Sequence, residues 1–152
     1  MILNHIEVTL TEADFNLMID RYAPREGRVS RLGLDIRDGN LVVTGSVKVL
    51  LNIPFEVTMR LESDERRLIA RLVSLKPMRL ITDQLKETIL DKIVERMPTG
   101  VSREKDALFF DVNKILAGRG FAADLRLLSL HTANDAVTLE LSGPLTFAEA
   151  IA

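Results

Sequence analysis

The chain has 152 residues, of which 47% are hydrophobic and 28% charged, so it is long and apolar enough for one packed domain and too apolar for a disordered chain. Its 20 basic and 22 acidic residues are interspersed and leave a net charge of −2, which argues against a dedicated nucleic-acid binder. Cysteine is absent, which excludes disulfides, thiol catalysis and thiolate metal sites. We predict one domain over residues 1–152.

The first ten residues lack the basic segment and apolar run of a secretory signal. No stretch approaches the ~20 apolar residues that a membrane-spanning helix needs. The sequence as given therefore predicts a cytoplasmic protein, or an exported one if a leader has been removed.

Alternating apolar residues predict a first strand over Ile2–Leu10, and a helix start follows it. In Thr11-Glu12-Ala13-Asp14, the threonine hydroxyl can accept a hydrogen bond from a free backbone N–H while the aspartate reaches back. Apolar residues at helical spacing then predict a short helix to about Tyr22.

A long antiparallel meander is predicted next, divided by turn signals at Asp38-Gly39 and at Ser63–Glu65. The predicted strands cover Leu32–Ile36, Leu41–Leu51, Ile53–Leu61 and a further strand that starts at Leu68. Each strand has one apolar and one polar face, so the sheet needs a cover on one side. Bends are expected at Gly45 and at Asn52-Ile53-Pro54, which would let the sheet curl.

The expected cover is an amphipathic helix over Leu80–Met97, a stretch without Pro or Gly. Its apolar stripe has i, i+4 spacing, and charged residues occupy the other side. At 1.5 Å per residue it would be ~27 Å long, which matches strands of eight to ten residues. The predicted fold class is α+β: a long, strongly curved antiparallel β-meander wrapped around one long amphipathic helix, plus short N-terminal and C-terminal helices.

Smaller elements are predicted after the long helix. They are a turn at Lys105-Asp106 that leads into Ala107–Phe110, a short helix capped by Asp111 and running through Leu116, closing strands over Ala122–His131 and Ala136–Leu141, and a tail over Gly143–Ala152 that is loose or a short apolar helix.

No catalytic or phosphate-binding motif is present in the sequence. The eight glycines are scattered and form no Gly-rich phosphate loop, and the Gly-x-Ser-x-Gly elbow is absent. His5 and His131 lie far apart without metal-site spacing, so two surface histidines are favoured over a metal or base pair. We predict no enzyme, no cofactor and no metal.

The order of these elements resembles a known family. The segments that carry the resemblance are Leu32-x-Leu-x-Ile-Arg-Asp-Gly-Asn-Leu-Val-Val-Thr-Gly, Ile53-Pro-Phe-Glu-Val-Thr-Met-Arg-Leu, the long helix, Pro-Thr-Gly-Val at Pro98–Val101 and Asp-Val-Asn-Lys-Ile-Leu from Asp111. Over about residues 4–142 the pattern resembles the bacterial single-unit (half-barrel) members of the tubular lipid-binding (TULIP, BPI-like) superfamily. The resemblance implies an apolar groove between helix and sheet, lipid or other apolar ligands, and pairing of two units.

Two functions are predicted from the sequence. The first is non-catalytic binding of a lipid or another apolar ligand in the groove between helix and sheet, with the ligand-binding residues Leu34, Ile36, Val43, Val47, Phe55, Val57, Met59, Leu72, Ile81, Leu85, Ile89 and Ile93. The alternative is a structural or protein-interaction module, a homodimer with a fully packed core and no ligand. The expected partner is an apolar small molecule or lipid and no nucleic acid; a second copy of the chain and transient membrane contact are left open.

Overall fold

In the computed structural model, the described part of the chain comprises residues 1–22, 29–48, 50–77, 81–95, 97–133 and 135–147. These residues form ten strands and three helices. In chain order the elements are β1 (Ile2–Thr11), α1 (Glu12–Tyr22), β2 (Val29–Arg37), β3 (Asn40–Lys48), β4 (Asn52–Ser63), β5 (Arg67–Lys76), α2 (Asp83–Glu95), β6 (Val101–Glu104), β7 (Ala107–Asp111), α3 (Val112–Ala117), β8 (Phe121–Ala123), β9 (Arg126–Ala133) and β10 (Ala136–Phe147).

The strands form two antiparallel sheets. The six-stranded sheet has the order β2-β3-β4-β5-β7-β6. In the four-stranded sheet, β1 pairs with β10, while β8 and β9 pair with successive stretches of β10. The prediction of an antiparallel, sheet-rich α+β protein is confirmed.

Local signals in the sequence place the first turns correctly. Asp38 and Gly39 both have positive φ (52° and 78°), as a two-residue type I′ hairpin turn requires, and glycine adopts this conformation without strain. At the start of α1, the Asp14 N–H donates to Thr11 Oγ1 (3.2 Å) and the Thr11 N–H donates to Asp14 Oδ2 (2.9 Å). The predicted capping box is therefore present.

The irregularities of the six-stranded sheet do not fall at Gly45 or at Asn52–Pro54, where bends were expected. Gly45 stays in register opposite Phe55, and a Cβ at residue 45 would lie 2.7 Å from the Phe55 ring. The β3–β4 ladder is continuous through the Asn52–Pro54 stretch, whereas ladders shift register between Ser30 and Gly33 and between Thr58 and Met59. Glycine at residue 45 thus makes room for an aromatic ring instead of bending the strand.

The prediction of one long amphipathic helix is wrong, because α2 has only 13 residues. Its start is set by Thr82, whose hydroxyl accepts from the Leu85 N–H at 3.2 Å, so Ile81 lies outside the helix. At its other end, the Met97 N–H donates to the Val94 carbonyl (3.0 Å) in a tight final turn, and Pro98 follows. Among the described residues, no helix is long and apolar enough to cross a bilayer.

The prediction of a single curved meander around this helix is also wrong. At about 1.5 Å per residue α2 spans about 20 Å, whereas the 12 residues of β4 extend about 40 Å at about 3.3 Å per residue. The helix is too short to cover the apolar face of the six-stranded sheet. The four-stranded sheet supplies the rest of the cover, and the buried side chains of both sheets and α2 form one core cluster.

The predicted loose or helical tail is instead strand as far as Phe147, because β10 continues past Gly143. Residues 148–152 lie outside the described residues.

Side chains of α1 cover the free edge of β2. Asn16 forms two hydrogen bonds with the Leu34 backbone: its Nδ2 donates to the carbonyl, and its Oδ1 accepts from the N–H, both at 2.8 Å. Glu12 Oε1 accepts from the Ile36 N–H at 2.7 Å. An edge strand whose backbone groups are already paired offers little template for another chain.

We expect Gly143→Ala to destabilise the protein strongly, because residue 143 has φ +139° and a Cβ would lie 2.4 Å from the Asp124 carbonyl oxygen. Gly118→Ala is the matched control. Gly118 caps α3 in a right-handed conformation (φ −65°), where a Cβ meets its nearest atom at 3.5 Å. Urea unfolding should show a large fall in midpoint for the first variant and little change for the second. Equal midpoints would contradict the assigned backbone geometry.

Candidate ligand-binding cavity

A cavity of about 340 Å³, partly open to solvent, lies between the two sheets. Its walls come from both sheets, α1, α3, the segment that follows α2 and the β8–β9 connection. The lining residues are Ile6, Val8, Leu10, Phe15, Leu34, Leu41, Leu68, Met97, Pro98, Phe110, Val112, Ile115, Leu116, Leu125, Leu139, Leu141 and Leu145. Every one of these side chains is apolar.

The composition of this lining decides what can occupy the cavity. An ordered water needs two to four polar partners, and the lining side chains offer none. Hydrocarbon placed in this space would instead be removed from water, at a gain of about 25 cal/mol per Å² of apolar surface. The cavity therefore suits an apolar occupant.

The twelve sequence-predicted ligand-binding residues are brought together in the protein interior. Ten of them are buried members of the core cluster, and Leu72 and Ile81 are half-buried against it. Only Leu34 among the twelve lines the cavity. The other eleven pack in the core without contributing to its wall.

The helix that was expected to border the groove packs tightly. Ile89 is 0% exposed, and Leu90 and Ile93 are each 1% exposed. Met97, just beyond the end of α2, does line the cavity. The cavity thus begins where the helical cover ends, and the four-stranded sheet lies over it.

Sequence reasoning missed the cavity residues on β1, β10 and α3. The signal was present, since apolar residues alternate with polar ones along β1 (Ile6, Val8, Leu10) and β10 (Leu139, Leu141). Such alternation gives these strands an apolar face of their own, which must also be buried. The alternation could not indicate that this face lies opposite the six-stranded sheet, or that the side chains of the two sheets leave a cavity between them.

The turn between β4 and β5 joins the two sheets. The Glu65 carbonyl accepts from the Leu127 N–H of β9 at 2.7 Å, and Arg66 forms an ion pair with Asp124. Asp64 holds this turn in shape, because its Oδ1 accepts from the backbone N–H groups of Arg66 (2.9 Å) and Arg67 (2.7 Å). The turn therefore fixes the separation of the walls at that side of the cavity.

Desolvation acts to raise the pKa of Asp64, but the backbone hydrogen bonds from Arg66 and Arg67 and the Arg67 guanidinium outweigh it. The net result is a pKa below the ordinary aspartate value of 3.8. Folding therefore favours the ionised carboxylate at this turn.

An asparagine side chain holds another wall of the cavity, as Asn16 does at the edge of β2. Asn113 of α3 donates from Nδ2 to the Leu125 carbonyl (3.0 Å) and accepts at Oδ1 from the Leu125 N–H (2.8 Å). Asp111 caps α3 by accepting from the Lys114 N–H at 3.1 Å, as the sequence predicted. Asn113 and Asn16 of α1 thus each hold the backbone of a leucine that lines the cavity, Leu125 and Leu34 respectively.

The two histidines lie away from the cavity lining. His5 is close to Glu7 and Glu140, with potential metal-ligating atoms of all three within 4.8 Å of one another. His5 and Glu7 are exposed and alternate along β1 with the cavity-lining Ile6 and Val8, so they project from the opposite face of the sheet. His131 is not part of this group; it is exposed and pairs in register with Thr138.

We expect the stability contributed by Asp64 to be lost in acid. Because its folded-state pKa is depressed, this contribution is present above 3.8 and disappears as the pH falls through the lower folded-state value. Asp64→Asn should therefore lower the urea midpoint at neutral pH and converge with the parent protein in strong acid. Asp38→Asn, in a different turn, serves as the control. A constant difference between Asp64→Asn and the parent at every pH would contradict this assignment.

We expect Val8→Phe to be tolerated and Val57→Phe to be destabilising. Val8 lines the cavity, so the added ring can enter existing space. Val57 is 0% exposed and does not line the cavity, so a larger side chain there must displace its neighbours at a cost of about 1–3 kcal/mol. Urea unfolding of the two variants measures the difference. If both lose the same stability, the space beside Val8 is not available.

Comparison with protein-family models, with curated proteins and with solved structures finds no match to this chain. The family resemblance of the sequence therefore stays a prediction, and the cavity is the feature that bears on function.

Proposed function

We propose that this protein binds a lipid hydrocarbon chain or another apolar small molecule, without catalysis, between its two sheets. The observation that carries the proposal is the cavity of about 340 Å³ whose 17 lining residues are all apolar. Ligand pockets of small molecules commonly have volumes of about 300–1,000 Å³, so the space is large enough for a specific ligand.

The driving force would be the hydrophobic effect. Burial of apolar surface gains about 25 cal/mol per Å², or about 0.8 kcal/mol for each methylene removed from water. A cavity of about 150 Å³ holds benzene, with its six carbons, so 340 Å³ has room for about a dozen carbon atoms. A medium-length alkyl chain is the natural occupant on this scale.

The absence of catalysis is supported by the chemistry of the lining. A reaction on a bound molecule needs a nucleophile, an acid or a base within reach. The cavity lining carries no titratable side chain, and His5 with its two glutamates lies on the other face of the four-stranded sheet.

Native mass spectrometry of the purified protein, followed by organic extraction, tests the proposal. We expect a co-purifying apolar molecule, or binding of added decanoic acid accompanied by a rise in Tm. Val8→Phe should remain folded and lose this binding, whereas Leu51→Ser, at the exposed β3–β4 turn, should keep it.

The alternative function, a homodimeric module with a packed interior, predicts a different set of results. Light scattering would then show a dimer with or without fatty acid, and no added apolar molecule would shift Tm. That outcome would contradict ligand binding and favour the homodimeric module.

A further inference from the structure

The apolar face of β10 extends from the core into solvent. Along one side of this strand, Val137 is 0% exposed, Leu139 and Leu141 are 5% and 4% exposed, Leu145 is half-buried, and Phe147 is 74% exposed. Residues two apart on a strand share a face, so these side chains form one apolar row, interrupted only at Gly143. Phe147 thus carries the apolar side of β10 beyond the core and into solvent.

Phe147 has an aromatic partner at this end of the sheet. It pairs in register with Phe121 of β8, and the two ring centroids are 5.2 Å apart with the planes tilted by 35°. The preceding pair in the same ladder is Leu145 with Ala123, and Leu145 lines the cavity. The aromatic pair therefore lies directly beyond the cavity wall, on the same face of the sheet.

The short helix α3 completes this margin of the cavity. Its residues Ile115 and Leu116 line the cavity, and the chain passes from α3 into β8 through a turn in which the Arg119 N–H donates to the Leu116 carbonyl at 2.9 Å. Ile115, Leu116 and Leu145 are half-buried residues of the cavity lining, and Leu145 lies two residues before Phe147 on β10. We call Phe121, Phe147 and Leu145 the aromatic lip.

We propose that the aromatic lip is the entrance of the cavity and holds the outer part of a single-chain amphiphile that enters tail-first. This inference rests on the proposed function. The lining has no polar group to pair with a carboxylate or other head group, so the polar end must stay in water. The cavity has room for about a dozen carbons, on the scale of about 150 Å³ for the six of benzene, so a longer chain extends across Phe147 and Phe121.

A bimane label tests the position of the chain. The sequence contains no cysteine, so Phe147→Cys and the control Leu51→Cys each give one labelling site. Leu51 is 78% exposed in the turn between β3 and β4 and does not line the cavity. Hexadecanoic acid should change bimane fluorescence at residue 147 and leave it unchanged at residue 51, while decanoic acid should have a much smaller effect at residue 147.

Chain-length dependence of affinity gives the second readout, measured by displacement of 1-anilinonaphthalene-8-sulfonate. Phe147→Ser combined with Phe121→Ser should weaken hexadecanoic acid binding about tenfold, as expected if about two methylenes lose apolar contact. The ten carbons of decanoic acid fit within the cavity, so its affinity should change less than about twofold. Leu51→Ser should alter neither affinity. If the double variant fails to fold, the labelled single variants decide the question.

The contrary outcomes separate the two proposals. If both acids bind the parent protein, and the lip variants weaken neither acid or both equally, the aromatic lip is not the entrance, while the proposed function stands. If neither acid binds the parent protein or displaces the dye, the proposed function fails and the entrance fails with it.

Discussion

The structure depends on the burial of one apolar sheet face that is longer than the helix available to cover it. The six-stranded sheet has strands of up to 12 residues, whereas α2 has 13 residues and only about half the length of the longest strand at about 1.5 Å per helical residue. The hydrophobic effect requires a second cover, and the four-stranded sheet provides it. Between the end of α2 and the four-stranded sheet, the side chains do not fill the space, and the cavity lies there.

The polar side chains around the cavity form hydrogen bonds that hold its walls, and none of them lines the cavity. Asn16 and Asn113 each bind both backbone groups of one lining leucine, and Asp64 shapes the turn that ties β9 to the six-stranded sheet. Among the described residues, no buried side-chain nitrogen or oxygen lacks a partner. The walls can therefore be held in place by hydrogen bonds while the interior stays apolar, which suits binding by burial of hydrocarbon.

The two corrections to the predicted architecture have one physical origin. Apolar periodicity continues through Ile81 and Met97, so it predicts a longer helix than the backbone forms. Thr82 caps the first turn, so the helix begins only at Asp83, and Pro98 limits it at the other end. Periodicity measures which residues are buried, whereas capping decides which of them are helical. Met97 shows the difference: it lies beyond α2, and it faces the cavity.

The sequence by itself determined the antiparallel strands, the Asp38-Gly39 turn, the capping box at Thr11 and the short capped helix after Asp111, because each depends on residues close together in the chain. It also identified buried positions such as Val57 and Ile89. Only the tertiary structure decided that β1 and the closing strands form a separate sheet and that space remains beneath it. Alternation shows that a face is apolar, but which face it meets, and whether the side chains fill the gap, depends on pairings between residues far apart in sequence.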